Sequence, residues 1–315
     1  MQGQSLFLAG VPKSGTSAVV NWLGQHPDVV VSRPKEPNYF NTDLPLGLCA
    51  DDAQYLSYFR VAVGRAPRVR CDGSILYGYS AVAAQRIARA CPAARVVIVV
   101  RDPVEVMHAW HGQMRYTGNE PIADFDAALG AEARRAAGSR RGLVGLAARC
   151  PALLCYRRLA AFAEQIERFY GALGRESVLV LTHDEMLGEP HAAYAAVLRH
   201  AGLDDAHRPN VRRMNEFKER RWLPLHRAVK RCAAAPSRRL LAPFLRQRLI
   251  RGWDRLTSRD GRRPPIDPEL RHRLAEELRP EVQRLAALIG RDLSRWCSPS
   301  SLAAERHAAS SVSDG

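Results

Sequence analysis

The sequence predicts an α/β domain of three layers built on a central parallel sheet. Arg95–Val100 (RVVIVV) is an unbroken apolar run, the pattern of a strand buried on both faces. Short apolar runs alternate with segments of helical spacing through about residue 203, which calls for helices on both faces of one sheet. Asp102-Pro103 then opens a helix directly after the clearest strand, with Asp as N-cap and Pro at the first helical position.

Ser5–Val11 (SLFLAGV) reads as the first strand, and Ser17–Gln25 as a helix through Val19, Val20 and Leu23. Val29–Val31 is a second strand. Ser32–Phe40 (SRPKEPNYF) is a loop, since its two prolines forbid regular pairing. Arg68–Cys71 is a third strand and the alanine-rich Ala81–Ala90 a helix. The helix opened by Asp102 extends to about Tyr116. Ala152–Leu173 reads as one long amphipathic helix, Ser177–Thr182 (SVLVLT) as a further buried strand, and Pro268–Ile289 as a helix with Leu274, Leu278, Val282, Leu285 and Leu288 on its apolar stripe.

With 315 residues and 46% apolar side chains, the chain can bury one large core. The expectation is a single domain over 1–298, containing a helical Arg-rich segment at 208–263, and a disordered Ser/Ala-rich tail at 299–315. No apolar run is long enough for a membrane span, and the start lacks the pattern of a secretory signal. Seven cysteines without paired short spacings point to buried fillers in a reducing cytoplasm, not to a zinc site. A cytoplasmic location, with or without peripheral membrane association, is the resulting expectation.

The formal charge is +15, from 47 basic and 32 acidic residues. Residues 208–263 carry 18 Lys or Arg against four Asp or Glu, so the remainder of the chain is nearly neutral. There are only four lysines, at 13, 35, 218 and 230, in a chain where Arg is the default cation.

Two motifs carry chemistry. Gly10–Ala18 (GVPKSGTSA) lies between a strand and a helix, where backbone amides, the helix N-terminus and the hydroxyls of Thr16 and Ser17 converge on an anion. The arrangement approaches a nucleoside-triphosphate P-loop, but Thr16 follows the second glycine and the lysine sits earlier, at Lys13. Arg101 closes the RVVIVV strand, on the edge where open α/β sheets bind ligands, and its fork suits a phosphate.

PKSGTSA followed by VVIVVRDPVEV resembles the sulfotransferases that use 3′-phosphoadenosine 5′-phosphosulfate (PAPS). KEPNYF at Lys35–Phe40 is similar to the acceptor-side loop of the heparan-sulfate and carbohydrate branch and its bacterial relatives. ESVLVLTHDEML and the C-terminal IDPELRHRLAEELRPEVQRLAALIGRDLSRW extend the likeness over nearly all of Ser5–Trp296. The resemblance implies a P-loop-NTPase-like fold and an enzyme that moves a sulfonate from PAPS to a hydroxyl or amine by in-line displacement, with no metal required.

It also implies roles. Lys13 would stabilise the departing phosphate, Ser14, Gly15, Thr16 and Ser17 would hold the 5′-phosphate, and Arg101 the 3′-phosphate. Glu36 would be the general base, with His111 as the alternative. Lys35, Tyr39 and Tyr77 would face the acceptor, and Arg262 and Arg263 would close over the 3′-phosphate. A carboxylate beside Lys35 and Arg33 is expected to have a lowered pKa. Two positions depart from the pattern: Ala109 replaces a phosphate-binding serine, with His108 as a substitute, and Gly73 replaces a lysine for which Lys35 would compensate.

The competing readings are a P-loop nucleotide kinase, and a basic module in which residues 208–263 grip anionic lipid or nucleic acid. A small-molecule, glycan or lipid acceptor and peripheral contact with an anionic membrane surface are the expected partners; nucleic acid is not.

Overall fold

A computed structural model of the chain describes residues 4–46, 49–60, 67–211, 218–220, 258–261 and 263–297, with the backbone alone at 218–220 and 258–260. It divides into two compact units, one drawn from residues 1–106, 158–213 and 266–315, the other from 107–157 and 214–265.

The first unit holds the predicted parallel sheet. β1 (Gln4–Gly10), β2 (Val29–Val31), β3 (Val69–Asp72), β4 (Arg95–Val100) and β5 (Val178–Thr182) lie in the order β2-β3-β1-β4-β5, and every neighbouring pair is parallel. Val96 to Val100 are each at most 1% exposed, so β4 is covered on both faces, as its unbroken apolar run required. On one face Leu6, Leu8, Val97 and Val99 pack with residues of α1 (Thr16–Leu23), α6 (His183–Gly188) and α7 (Pro190–His200). α3 (Ala83–Ala90), α5 (Phe162–Leu173) and α8 (Pro268–Ile289) form a second packed group, in which Ile87, Ile166, Phe169, Leu274 and Leu285 are enclosed. A short helix, α2 (Asp52–Ser57), is capped by Asp51, whose carboxylate accepts from the Gln54 amide at 2.8 Å.

The connections from β1 to β2 and from β4 to β5 leave in opposite directions along the sheet. The switch point therefore falls between β1 and β4, where ligands of open α/β sheets bind outside the strand ends. β1 keeps its grip there through an irregularity: the pairing shifts between Leu8 and Gly10, after which the Val11 amide donates to the Val99 carbonyl at 2.8 Å.

The long helix expected over 152–173 is broken into a 3-10 turn (Pro151–Leu154), a single turn (Tyr156–Leu159) and α5. Carbonyls that a continuous helix would use internally are taken by side chains. Trp110 Nε1 donates to Leu153 O at 2.7 Å, Arg135 to Leu154 O at 3.3 Å, and Gln165 Nε2 to Leu159 O at 2.9 Å. Leu153, Leu154, Tyr156, Leu159 and Phe162 are all buried across the breaks, and this burial outweighs the helical periodicity.

In the second unit Glu120, fully buried, accepts from Arg135 at 2.8 Å, Tyr156 Oη at 2.6 Å and the Ile122 amide at 2.8 Å. Each oxygen of the carboxylate is thus satisfied by donors, as burial of a charge demands. Two described stretches of the Arg-rich segment, β6 (Lys218–Arg220) and β7 (Ser258–Asp260), pair antiparallel; 212–217, 221–257 and Arg262 lie outside the described residues, as does the tail at 299–315. No helix among the described residues is long and apolar enough to cross a membrane. None of the six described cysteines is in a disulfide.

Gly78 marks a close approach behind the sheet. Its amide donates to Ala9 O at 2.6 Å, and a Cβ there would lie 2.9 Å from Gln165 Oε1 and 3.0 Å from Ala9 O. Gly78→Ala is expected to lower the unfolding free energy in urea titrations by about 1–3 kcal/mol. Gly171→Ala, in α5 with nothing within 4 Å of the new carbon, is expected to raise it by up to about 1 kcal/mol.

Candidate active site

Because all five strands run the same way, the loops after β1, β2, β3, β4 and β5 open on one edge of the sheet. The Gly10–Thr16 loop follows β1. Lys13 (φ 66°) and Gly15 (φ 90°) both take left-handed backbone, which turns the chain sharply into α1. For a lysine this costs about 1–2 kcal/mol, so the turn is held by its surroundings. Gly15 is the N-cap of α1 and offers its first amides no side chain. A Cβ at Gly15 would lie 3.3 Å from His183 Cδ2 and 3.4 Å from Met186 Cε, so the start of α6 packs directly on the loop.

Thr16 is 3% exposed and Ser14 is fully buried. Among the described residues, Ser14 Oγ and His183 Nδ1 are buried with no hydrogen-bond partner, on either side of Gly15. Buried polar atoms without partners are rare, and two at one loop fit a polar ligand. Burial, with the charge of Arg101 adding, lowers the His183 pKa to about 4, leaving a neutral imidazole at pH 7.

Arg101, at the end of β4, lies across the switch point from the loop. Its side chain is 15% exposed and pairs with Glu105 at 3.5 Å. Asp102 does not take it: that carboxylate caps α4 (Pro103–Tyr116), accepting from Val104 at 2.9 Å, and is held by Arg271 of α8.

The loop after β2 is tied to the one after β3. The Ser32 amide donates to Cys71 O at 3.0 Å, Gly73 to Lys35 O at 3.2 Å, and Asn38 to Ser74 Oγ at 2.9 Å. Tyr77 Oη accepts from the Tyr39 amide at 3.1 Å and donates to Asp72 at 2.8 Å. Tyr77, expected to face an acceptor, is fully enclosed and braces this loop from behind. Tyr39 stacks on Tyr55 at 4.7 Å, and its hydroxyl donates to Asp52.

Lys35 Nζ donates to Ser17 Oγ at 3.0 Å and pairs with Glu36 at 3.4 Å, joining the start of α1 to the loop after β2. A Cβ at residue 73 would lie 3.1 Å from Lys35 O and 3.3 Å from Lys35 Cγ. The stem of Lys35 thus occupies the space beside Gly73. Contrary to the sequence-based expectation, the Glu36 pKa is raised: loss of water outweighs the opposing charge and hydrogen bond of Lys35.

The histidines of α4 belong to the second unit. His111 is 5% exposed, donates from Nε2 to Ile122 O at 3.0 Å, and packs on Phe125 and Tyr156 within the second unit. His108 packs on Phe125 at 5.1 Å, and burial, followed by the charge of Arg263, lowers its pKa to about 3. Ala109 is buried in the same helix. No group of three or more His, Cys, Asp or Glu among the described residues is placed to hold a metal.

The sulfotransferase from Alicyclobacillus acidocaldarius superposes on this chain with a TM-score of 0.66, covering 95% of this chain and 100% of that one at 22% identity. The fold is that sulfotransferase's fold. A mouse sulfotransferase complexed with PAP aligns at a TM-score of 0.37 and 13% identity, over 65% of this chain and 61% of that one. The sulfotransferase domain of the curacin biosynthetic pathway aligns at 0.40 and 13%, over 65% and 75%. No protein-family model and no curated protein matches the chain.

Sequence reasoning missed His183 and Asp72 as members of this sulfotransferase-fold edge. His183 had one signal, its place at the end of a buried strand. Asp72 had none: only packing shows that it accepts from Tyr55, Tyr77 and Ser74 at once. Burial raises its pKa to about 6, against those hydrogen bonds. The folded chain therefore keeps a proton that the unfolded chain releases near pH 4. The stability this contributes is present below about pH 4 and lost as pH rises through about 6. Relative to Asp72→Asn, the wild-type unfolding free energy is expected to fall by about 3 kcal/mol at most across that window, measured by denaturant titration at each pH.

Proposed function

We propose that this chain transfers a sulfonate group from PAPS to a hydroxyl or amine of a small-molecule, glycan or lipid acceptor. The observation that carries the reading is the pairing of two anion-suited features across the β1/β4 switch point: a phosphate loop with buried Ser14, and Arg101 at the adjacent strand end. The motif order of the sequence and the fold shared with a sulfotransferase support it.

In this reading Ser14, Gly15, Thr16 and Ser17 hold the 5′-phosphate and Arg101 the 3′-phosphate. The bond from sulfur to the bridging phosphate oxygen breaks as a bond from sulfur to the acceptor oxygen or nitrogen forms. Lys13 neutralises the negative charge that grows on the leaving phosphate, which is positioning and electrostatics as in phosphoryl transfer. Glu36 takes the acceptor proton; its raised pKa makes it a better base than an exposed carboxylate. Among the described residues the charged group that acts on Glu36 is Lys35, which couples it to Ser17.

Titration with labelled PAPS, adenosine 3′,5′-bisphosphate (PAP) and ATP tests the donor. Saturable PAPS and PAP binding is expected; ATP binding without affinity for either would favour a nucleotide kinase. Against an acceptor panel, Lys13→Ala is expected to lower turnover by about 10²–10³-fold with the fold intact by circular dichroism. Glu36→Gln should cut turnover with little change in PAPS affinity.

The pH profile has a definite sign. Activity needs Glu36 deprotonated, so it falls as pH drops through a pKa raised from the ordinary glutamate value by loss of water. Lys35→Met removes the group that lowers this pKa, and the acid limb is expected to move to higher pH. An unmoved limb would take the base role away from Glu36.

A further inference from the structure

Arg271 is a charged residue in the place of an apolar one. It lies in the first turns of α8, whose other enclosed positions are Leu270, Leu274, Ala275, Leu278, Val282 and Leu285, and it is 1% exposed. Two guanidinium nitrogens donate to the two oxygens of Asp102, at 3.0 and 2.5 Å. The same Asp102 caps α4 through the amides of Val104 at 2.9 Å and Glu105 at 3.4 Å. A buried ion pair of this kind carries a desolvation cost that an apolar pair would avoid, so fold stability alone is a poor reason for it.

Its position suggests the reason. Asp102 directly follows Arg101, and an acid next to an anion-binding arginine is a competitor for it. The fork of Arg271 and the two helix amides commit both carboxylate oxygens, and Arg101 pairs instead with Glu105 at the longer distance of 3.5 Å. A dianionic phosphate outcompetes a contact of that length more readily than a bidentate carboxylate.

We propose that Arg271 is a positioning residue for the second anion contact, holding Asp102 so that its carboxylate does not compete with a phosphate for the Arg101 fork. This rests on the reading above, in which Arg101 takes the 3′-phosphate of the donor. The arrangement requires a bidentate donor at position 271; a lysine, with one ammonium, would not span both oxygens.

The test is the preference of the full chain for PAP over adenosine 5′-monophosphate, measured by calorimetry. The ratio of the two affinities isolates the 3′-phosphate, and a general loss of stability does not change it in the folded fraction. Wild type is expected to prefer PAP, and Arg101→Ala to abolish that preference. Arg271→Met is expected to reduce the ratio by about tenfold or more, because the released Asp102 carboxylate engages Arg101. Adding Asp102→Asn, which keeps a capping side chain but removes the competing charge, is expected to restore most of the ratio. Should Arg271→Met fail to fold, Arg271→Lys with and without Asp102→Asn carries the same comparison.

A folded Arg271 variant that keeps the wild-type ratio, or a double variant that loses as much as the single, overturns the role of Arg271 alone. Equal affinity of the wild type for PAP and adenosine 5′-monophosphate overturns the assignment of Arg101 as well.

Discussion

The pairing of β1 with β4 is the contact on which the rest of the candidate site depends. It sets the Gly10–Thr16 loop and Arg101 on adjacent strand ends, and the register shift between Leu8 and Gly10, with the Val11–Val99 hydrogen bond, carries the pairing into the start of that loop. Parallel strands buried on both faces leave the chain one place to put polar chemistry, the edge where they end. The loops after β2, β3 and β5 accordingly meet the same edge: those after β2 and β3 are tied to each other, Asn38 to Ser74 and Tyr39 to Tyr77, and His183, after β5, lies against Gly15 of the loop after β1.

The net charge of the chain says little about this edge. Most of the +15 belongs to residues 208–263, whereas few cations lie at this edge, and three of those described are each paired with a specific acid. Lys35 pairs with Glu36, Arg101 with Glu105 and Arg271 with Asp102. The three pairs differ in consequence. The first modulates a carboxylate whose pKa is already raised by loss of water, the second is long, at 3.5 Å, and the third is buried and bidentate. Distance and burial, rather than the number of charges, decide which cation can meet a ligand.

Much of the fold was legible in the residues. RVVIVV, the Asp-Pro helix start and the stripe of Leu274, Leu278, Val282 and Leu285 correspond to β4, α4 and α8 with boundaries that agree closely. The stretch from Ala152 to Leu173 misled because its apolar positions follow helical spacing while its carbonyls are claimed by Trp110, Arg135 and Gln165, residues distant in sequence or across a bend. The glycine turn after β1 and the strand end before Arg101 were legible because both are local features of the chain. The settings of Glu36, His183 and Asp72 were not, since each depends on loss of water and on partners contributed by other loops.

By itself, then, the sequence determined most of the strand and helix order, the parallel class of the sheet and the glycine turn and arginine at two strand ends, all of which rest on periodicity and short-range turn chemistry. Only the tertiary structure decided that Lys35 reaches Ser17 over Gly73, that Tyr77 is a buried brace, that His111 belongs to the core of the second unit, and that Asp102 is turned from Arg101 toward Arg271. The physical reason is that a side chain's charge state and availability are set by what packs around it, and those neighbours lie tens to hundreds of residues away along the chain.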